Sequence, residues 1–68
     1  SMASSTAAHL NTALTRLRQH TGQDYTLAYN RNLTRHWLRL DGQGVSPKLP
    51  ATNLTAWIGR YSQEVRHA

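Results

Sequence analysis

Residues 24–40 read DYTLAYNRNLTRHWLRL and contain two runs in which apolar and polar side chains alternate. Alternation with a period of two is typical of β-strands, because successive side chains point to opposite faces of a sheet. The two runs are joined by Asn30-Arg31-Asn32, and Asn tolerates the backbone conformations that tight turns require. This pattern predicts an antiparallel β-hairpin.

Amphipathic helices are predicted on both sides of the hairpin. Upstream, apolar residues recur every three or four positions and Gly22 supplies a left-handed C-terminal stop, which predicts a first helix at about residues 5–20. Downstream, Leu49 and Leu54 have the spacing of a hydrophobic staple, and a second helix is predicted at about 51–65. An isolated hairpin is hardly stable in water, so both helices should cover one of its faces. The predicted fold is α+β, a two-layer α-β-β-α sandwich.

A chain of 68 residues has room for one domain. Residues 1–5 are small and polar, and we expect them to form a disordered N-terminus with a tag remnant at Ser1, followed by a single domain over 6–66. Pro47 and Pro50 exclude a regular central strand after the hairpin. The core is expected where the helical stripes meet the apolar hairpin face, at Leu14, Leu17, Leu27, Leu38, Leu54, Trp57, Ile58 and Tyr61.

The charge balance favours a polyanionic partner. Eight Lys and Arg residues stand against three Asp and Glu residues, which gives a net charge of +5, and so few acids cannot neutralise the surface. The chain has no cysteine, although small secreted domains usually depend on disulfides, so we expect a cytoplasmic protein. No apolar run has the length of a membrane span, so no membrane partner is expected.

The second face of the hairpin is the most informative surface in the sequence. It carries a Trp between two arginines, and no predicted element remains to cover it. Three interpretations of this face stay open: a solvated face, the interface of a homodimer, and a surface for DNA or RNA. Because so small a core is marginal alone, we expect the protein to form a homodimer, through this face or through an open edge of the hairpin. Arginine forks bind phosphates and Trp stacks on unpaired bases. The candidate residues for binding nucleic acid or another partner are Arg31, Arg35, Trp37, Arg39 and Lys48.

Catalytic and metal-binding patterns are not evident. The three acidic residues are not spaced as an acid–base pair, and the histidines lack the spacing of metal ligands, so no cofactor is expected. His36 alternates onto the core face and should lie at the sheet edge or be hydrogen-bonded inside. We therefore expect a non-enzymatic nucleic-acid-binding or regulatory protein. The alternative is a protein–protein interaction module, such as an inhibitor or adaptor of a larger enzyme.

Two resemblances bear on this interpretation. Residues 42–48, GQGVSPK, look like the Gly-Ser-Lys stretch before the last helix of double-stranded RNA-binding domains. The chain departs from that family in lacking a third strand and a lysine cluster at the start of the last helix, so the family's RNA-binding residues are not transferred. The layout over about residues 10–61, with a VSPKL turn and an LxxWI helix, also resembles small uncharacterised proteins of phages and mobile elements. That resemblance implies a small regulatory or host-interaction protein.

Overall fold

The computed structural model describes the backbone of residues 2–65 and the side chains of residues 5–65. One antiparallel sheet has the strand order β1-β2-β3, and the two helices pack on one side of it, which confirms the predicted α+β class. The proposed tag remnant at Ser1 and the predicted domain end at residue 66 lie outside the described residues. The elements are α1 (Met2–Thr21), β1 (Thr26–Asn30), β2 (Arg35–Leu40), β3 (Gln43–Gly44) and α2 (Ala51–Glu64).

Both helices end or begin where the local chemistry predicts. Gly22 adopts a φ of 71° directly after α1, and its N–H donates to the Arg18 carbonyl at 2.8 Å, as a left-handed cap does. At the start of α2 the Leu54 N–H donates to the Pro50 carbonyl at 2.9 Å. Leu54 is buried and Leu49 packs half-buried against the same core, as a hydrophobic staple predicts. Helix α1 is described from Met2, a few residues before the predicted start.

The hairpin has the predicted assignment of its two faces. Leu27 lies opposite Leu38, and Ala28 lies opposite Trp37. Directly opposed residues share a face, so the leucines belong to the inner face, under the helices, and the other pair to the outer face. In the β1–β2 turn the residue with a positive φ is Thr34, at 48°. The sequence had favoured the Asn residues of the turn for this conformation.

A third strand is present, and the prediction of only two strands was wrong. Asp41 and Gly42 both have positive φ, 53° and 78°. This is the backbone of a two-residue hairpin turn whose twist matches the flanking strands. The chain therefore reverses directly after β2, and Gln43 pairs with Leu40 at the start of β3.

Beyond β3 the chain continues irregularly along the same edge of β2. The Leu38 N–H donates to the Ser46 hydroxyl at 2.8 Å, where a regular ladder would supply a carbonyl. Further on, His36 and Leu49 exchange two backbone hydrogen bonds of 2.7 and 2.8 Å. Pro47 lies between these two points and cannot donate to a ladder, which explains why β3 itself is short.

The core lies between the two helices and the inner face of the sheet. Most of the predicted core residues are buried there, whereas Leu27, Trp57 and Tyr61 are only half-buried. The prediction omitted Leu10 and Tyr25, which are 4% and 2% exposed. The buried residues are Leu10, Leu14, Leu17, Tyr25, Leu38, Leu54 and Ile58.

Tyr25 connects three elements of the fold. Its hydroxyl lies 3.1 Å from that of Tyr61 in α2, and the two rings meet edge to face with centroids 6.0 Å apart. Arg18 in α1 donates from Nε to the Tyr25 carbonyl at 2.8 Å. Burial, and then the hydrogen bond to Tyr61, raise the pKa of the Tyr25 phenol from 10.0 to about 12, because both favour the neutral form.

The two helices run side by side in the same general direction. Thr6 in α1 lines one shallow groove together with Thr52 in α2, and Arg16 lines a second groove together with Ser62. Early residues of one helix therefore lie beside early residues of the other. Among the described residues, no helix is long and apolar enough to cross a lipid bilayer.

Candidate nucleic-acid interface

Four of the five predicted site residues lie on or beside the outer face of the sheet. Arg35, Trp37 and Arg39 alternate along β2 and share that face. Lys48 comes from the irregular segment after β3, and its Nζ lies 4.6 Å from the centroid of the Trp37 ring. Arg31 is exposed in the β1–β2 turn, where no measured contact joins it to the other four.

Small residues flank Trp37 on both neighbouring strands. Ala28 lies directly opposite it on β1. On the other side, a methyl group added to Gly44 would lie 3.7 Å from Trp37 Cδ1, so the indole lies close to the β3 backbone. Because these neighbours have a methyl group or no side chain, neither of them covers the indole ring. Neither residue was among the predicted site residues. The hairpin register alone would have indicated Ala28, which lies opposite Trp37, whereas Gly44 lies opposite Arg39 in the unpredicted β3.

The expectation that nothing covers the outer face needs correction. Trp37 is half-buried, because the segment after β3 returns along β2 and carries Lys48 over the ring. A Lys ammonium above an indole is a cation–π contact, worth about 0.5–1 kcal/mol at exposed sites. The ring is therefore held in place and already has a cation for a partner.

The two arginines point toward opposite ends of β2. Arg35 donates from Nη1 to the Leu33 carbonyl at 3.3 Å, in the β1–β2 turn. Arg39 donates from Nη2 to the Gly42 carbonyl, in the β2–β3 turn. A guanidinium has five N–H donors, so each arginine keeps most of them for another acceptor. These bonds orient two cations on either side of the Trp.

The charged side chains of the sheet, Arg35 and Arg39, are both basic and both belong to β2. No acidic residue occurs in β1, β2 or β3. Of the chain's acids, Asp24 precedes β1, Asp41 lies in the β2–β3 turn and Glu64 ends α2, and all three are exposed. A polyanion approaching the outer face therefore meets cations and polar groups rather than carboxylates on the strands.

The inner face has a second exposed feature near the hairpin tip. Tyr29 is 52% exposed, and its ring lies against that of His36 with centroids 4.5 Å apart. His36 is half-buried, and its backbone is hydrogen-bonded to Leu49. It therefore lies where the segment after β3 runs along the edge of β2. An open groove of about 470 Å³ lies beside Tyr29 and is walled by Leu10 and Leu27. Alternation along β1 places Tyr29 on the inner face but does not reveal this exposure.

The described residues contain no group of three or more His, Cys, Asp or Glu side chains arranged to share a metal ion. A groove of about 540 Å³ lies between α1 and α2 and is open to solvent; its walls include His9, Arg16 and Ser62.

Comparison with models of known families, with curated proteins and with solved structures gave no match. The order α-β-β-β-α supplies the third strand that the sequence comparison with double-stranded RNA-binding domains lacked. The first turn of α2, Ala51-Thr52-Asn53, nevertheless carries no lysine.

Proposed function

We propose that the protein is a non-enzymatic, regulatory binding protein of the cytoplasm whose outer sheet face binds single-stranded nucleic acid. The observation that carries the proposal is the ring of Trp37 with the Lys48 ammonium 4.6 Å from its centroid, between two arginines of the same strand face. Proteins that bind single strands without sequence readout combine an aromatic platform for the bases with cations for the backbone. Both components are present here within one short strand and the loop beside it.

A base can displace Lys48 from the Trp37 ring. The cation–π contact of an exposed ammonium is worth about 0.5–1 kcal/mol, whereas stacking of a base on an aromatic side chain is worth about 1–3 kcal/mol. The exchange therefore favours the base. It also releases the Lys48 ammonium, which can then pair with a phosphate at the edge of the same platform.

The arginines supply phosphate contacts on either side of the stacked base. Residues two apart on a strand are about 6.6–6.8 Å apart, so Arg35 and Arg39 stand at that spacing on each side of Trp37. Each is oriented by one hydrogen bond to a turn carbonyl and keeps donors for phosphate oxygens. Contacts of this kind carry no base readout, so binding should tolerate many sequences.

Replacing Trp37 with Ala should weaken binding of a mixed-sequence single strand by about 5- to 150-fold, which corresponds to the loss of about 1–3 kcal/mol of stacking. Duplex DNA and duplex RNA should lose less than about twofold, because their bases are already stacked on each other. Fluorescence anisotropy of labelled oligonucleotides at low salt measures all three affinities.

The matched control is Trp37→Phe, which keeps a stacking ring and should retain more single-strand affinity than the Ala variant. Circular dichroism checks that both variants are folded at the assay temperature, because Trp37 is half-buried. Equal loss on single strands and duplexes would show that Trp37 is not a stacking platform. No binding of either form by the unmodified protein would end the proposal.

Removing Arg35 should lower the slope of log affinity against log salt by about 0.7 for single strands, the contribution of one phosphate contact. Titrations of one labelled strand at several salt concentrations give the slope. Arg16→Ala is the control, because it removes the same charge from the exposed side of α1, away from the sheet. If both variants change the slope equally, the effect reflects net charge rather than the outer face.

A protein partner is the second candidate, favoured by one observation. Tyr29 and Leu33 are 52% and 61% exposed near the hairpin tip, and large apolar side chains there suit an interface with another protein. An inhibitor or adaptor that uses this tip should lose its target on Leu33→Ala and keep it on Arg35→Ala. Nucleic-acid binding through the outer face predicts the reverse order of effects.

A further inference from the structure

The free edge of β1 presents backbone groups in a definite pattern. In β2, the N–H and C=O of His36 and of Leu38 bond toward the segment after β3. The residues opposite them in β1, Tyr29 and Leu27, therefore form non-hydrogen-bonded pairs with β2, because such pairs alternate along an antiparallel ladder. Their own N–H and C=O groups consequently point away from β2, to the edge where the described chain has no further strand.

This edge lacks the features that usually protect a sheet edge. Natural edges are interrupted by bulges, Pro or charged side chains. The opposite edge of this sheet has such protection, because β3 spans only Gln43–Gly44 and Pro47 follows it. The β1 strand, TLAYN, has five residues with no charge, no Pro and no Gly. Just before the strand, Arg18 donates to the Tyr25 carbonyl at 2.8 Å, so the uncharged part of this edge begins at Thr26.

The free backbone groups are self-complementary about Ala28. If two β1 strands run antiparallel with Ala28 opposite its own copy, Leu27 of each chain lies opposite Tyr29 of the other. Those two residues carry the outward N–H and C=O groups, so the register satisfies all of them with four hydrogen bonds. Ala28, whose backbone faces β2, falls at the two-fold axis, where no hydrogen bond is required.

The same register covers the exposed side chain of the inner face. Tyr29 is 52% exposed, and in the pair it would lie beside Leu27 of the second copy. Leu27 is one wall of the groove of about 470 Å³, and Thr6, Ala7 and Asn11 of α1 form another with short side chains. Each copy can therefore insert its tyrosine into the groove of the other, which gives the isologous contact of a two-fold dimer.

We propose that a second copy of this chain pairs with the free edge of β1, antiparallel and centred on Ala28, to form a continuous six-stranded sheet. A two-fold axis perpendicular to the sheet leaves both outer faces on the same side. The two Trp37 rings then lie in one row across the sheet, separated by two Ala28 residues and three strand spacings, about 14 Å in total. The role of this doubled basic face rests on the proposed nucleic-acid function, whereas the pairing itself does not.

A single cysteine at the axis tests the register. The chain has no cysteine, so Ala28→Cys introduces one thiol per copy. Opposed Cα atoms of a non-hydrogen-bonded pair are about 4.5 Å apart, within the range of about 4.4–6.8 Å that a disulfide spans. Mild oxidation should convert most of the variant to a covalent dimer. The control, Leu33→Cys in the exposed β1–β2 turn, should cross-link far more slowly.

Charge substitution tests the interface without a cross-link. Sedimentation equilibrium of the unmodified protein at tens of micromolar should give twice the chain mass of 7.7 kDa. Tyr29→Lys should give the monomer mass, because it replaces the inserted ring by a cation facing its copy. Leu33→Lys adds the same charge at another exposed apolar site and should remain dimeric.

The outcomes separate this inference from the proposed function. A monomeric unmodified protein, or equal cross-linking of the two cysteine variants, would overturn the β1 pairing even if the monomer binds single strands. Rapid cross-linking at residue 28 together with dissociation by Tyr29→Lys would support the pairing even if no nucleic acid binds. A dimer that Tyr29→Lys leaves intact would show that another surface joins the copies.

Discussion

Replacing Leu38 with Ala should lower the free energy of unfolding by about 2–5 kcal/mol, the range for removing a buried leucine side chain. Leu38 is fully buried at the centre of the inner face, between β1 and the irregular segment that follows β3. Domains commonly have only about 5–15 kcal/mol of stability, and one this small should lie at the low end. Urea unfolding followed by circular dichroism measures the change.

Leu33→Ala is the matched control for this loss. It removes the same atoms from a side chain that is 61% exposed, so the free energy of unfolding should change by less than about 0.5 kcal/mol. A cost below about 1 kcal/mol for Leu38→Ala would mean that the leucine is not in a close-packed core. It would thereby contradict the assignment of the inner face.

Alkaline solution should destabilise the protein through Tyr25. The folded state holds the Tyr25 proton up to a pKa of about 12, against 10.0 in the unfolded chain. Below pH 10 both states are protonated and the full stabilisation is present. Between pH 10 and 12 only the unfolded state loses the proton, so the free energy of unfolding should fall by about 2–3 kcal/mol across this interval. Urea midpoints at several pH values report the fall.

Tyr25→Phe isolates this contribution. The variant should cost about 0.5–1.5 kcal/mol at neutral pH, because the hydrogen bond to Tyr61 is lost. It should also show a smaller decline of stability above pH 10. Equal declines in the variant and in the unmodified protein would exclude Tyr25 as the source.

The two faces of the hairpin were predictable because they depend only on local periodicity. A period of two fixes which residues share a face, so the separation of Leu38 from Trp37 follows from their adjacent positions. The end of α1 and the start of α2 followed similarly from Gly22 and from the staple of Leu49 and Leu54. These features need only neighbours in the chain, and the structure has them where the pattern predicts.

The third strand was missed although a local signal for it exists. Asp41-Gly42 strongly favours a two-residue turn into a further strand. Pro47 outweighed the signal, since a proline forbids a regular strand. Both signals are satisfied because β3 is only two residues long. Beyond it, the Leu38 N–H donates to the Ser46 hydroxyl instead of to a backbone carbonyl.

The composition of the candidate site was predicted, but its arrangement was not. The alternation in β2 was sufficient to group Arg35, Trp37 and Arg39. The position of Lys48 over the Trp37 ring depends on the path of the chain after β3, which the Ser46 hydroxyl and the Leu49 backbone set through bonds to β2. Hydrogen bonds between residues that are far apart in the chain produce no repeating pattern of residues from which they could be predicted.

Because both helices contribute to a single core, we expect this domain to fold in one all-or-none transition. Leu14 and Leu17 come from before the sheet, Leu54 and Ile58 come from after it, and all four belong to one core. A fragment that contains only one helix leaves that core open on one side. The three strands can pair through residues that are close in the chain. The sheet is stabilised only when both helices, which are distant in the chain, pack on its inner face. The entropy lost in closing that long loop is therefore a main barrier to folding.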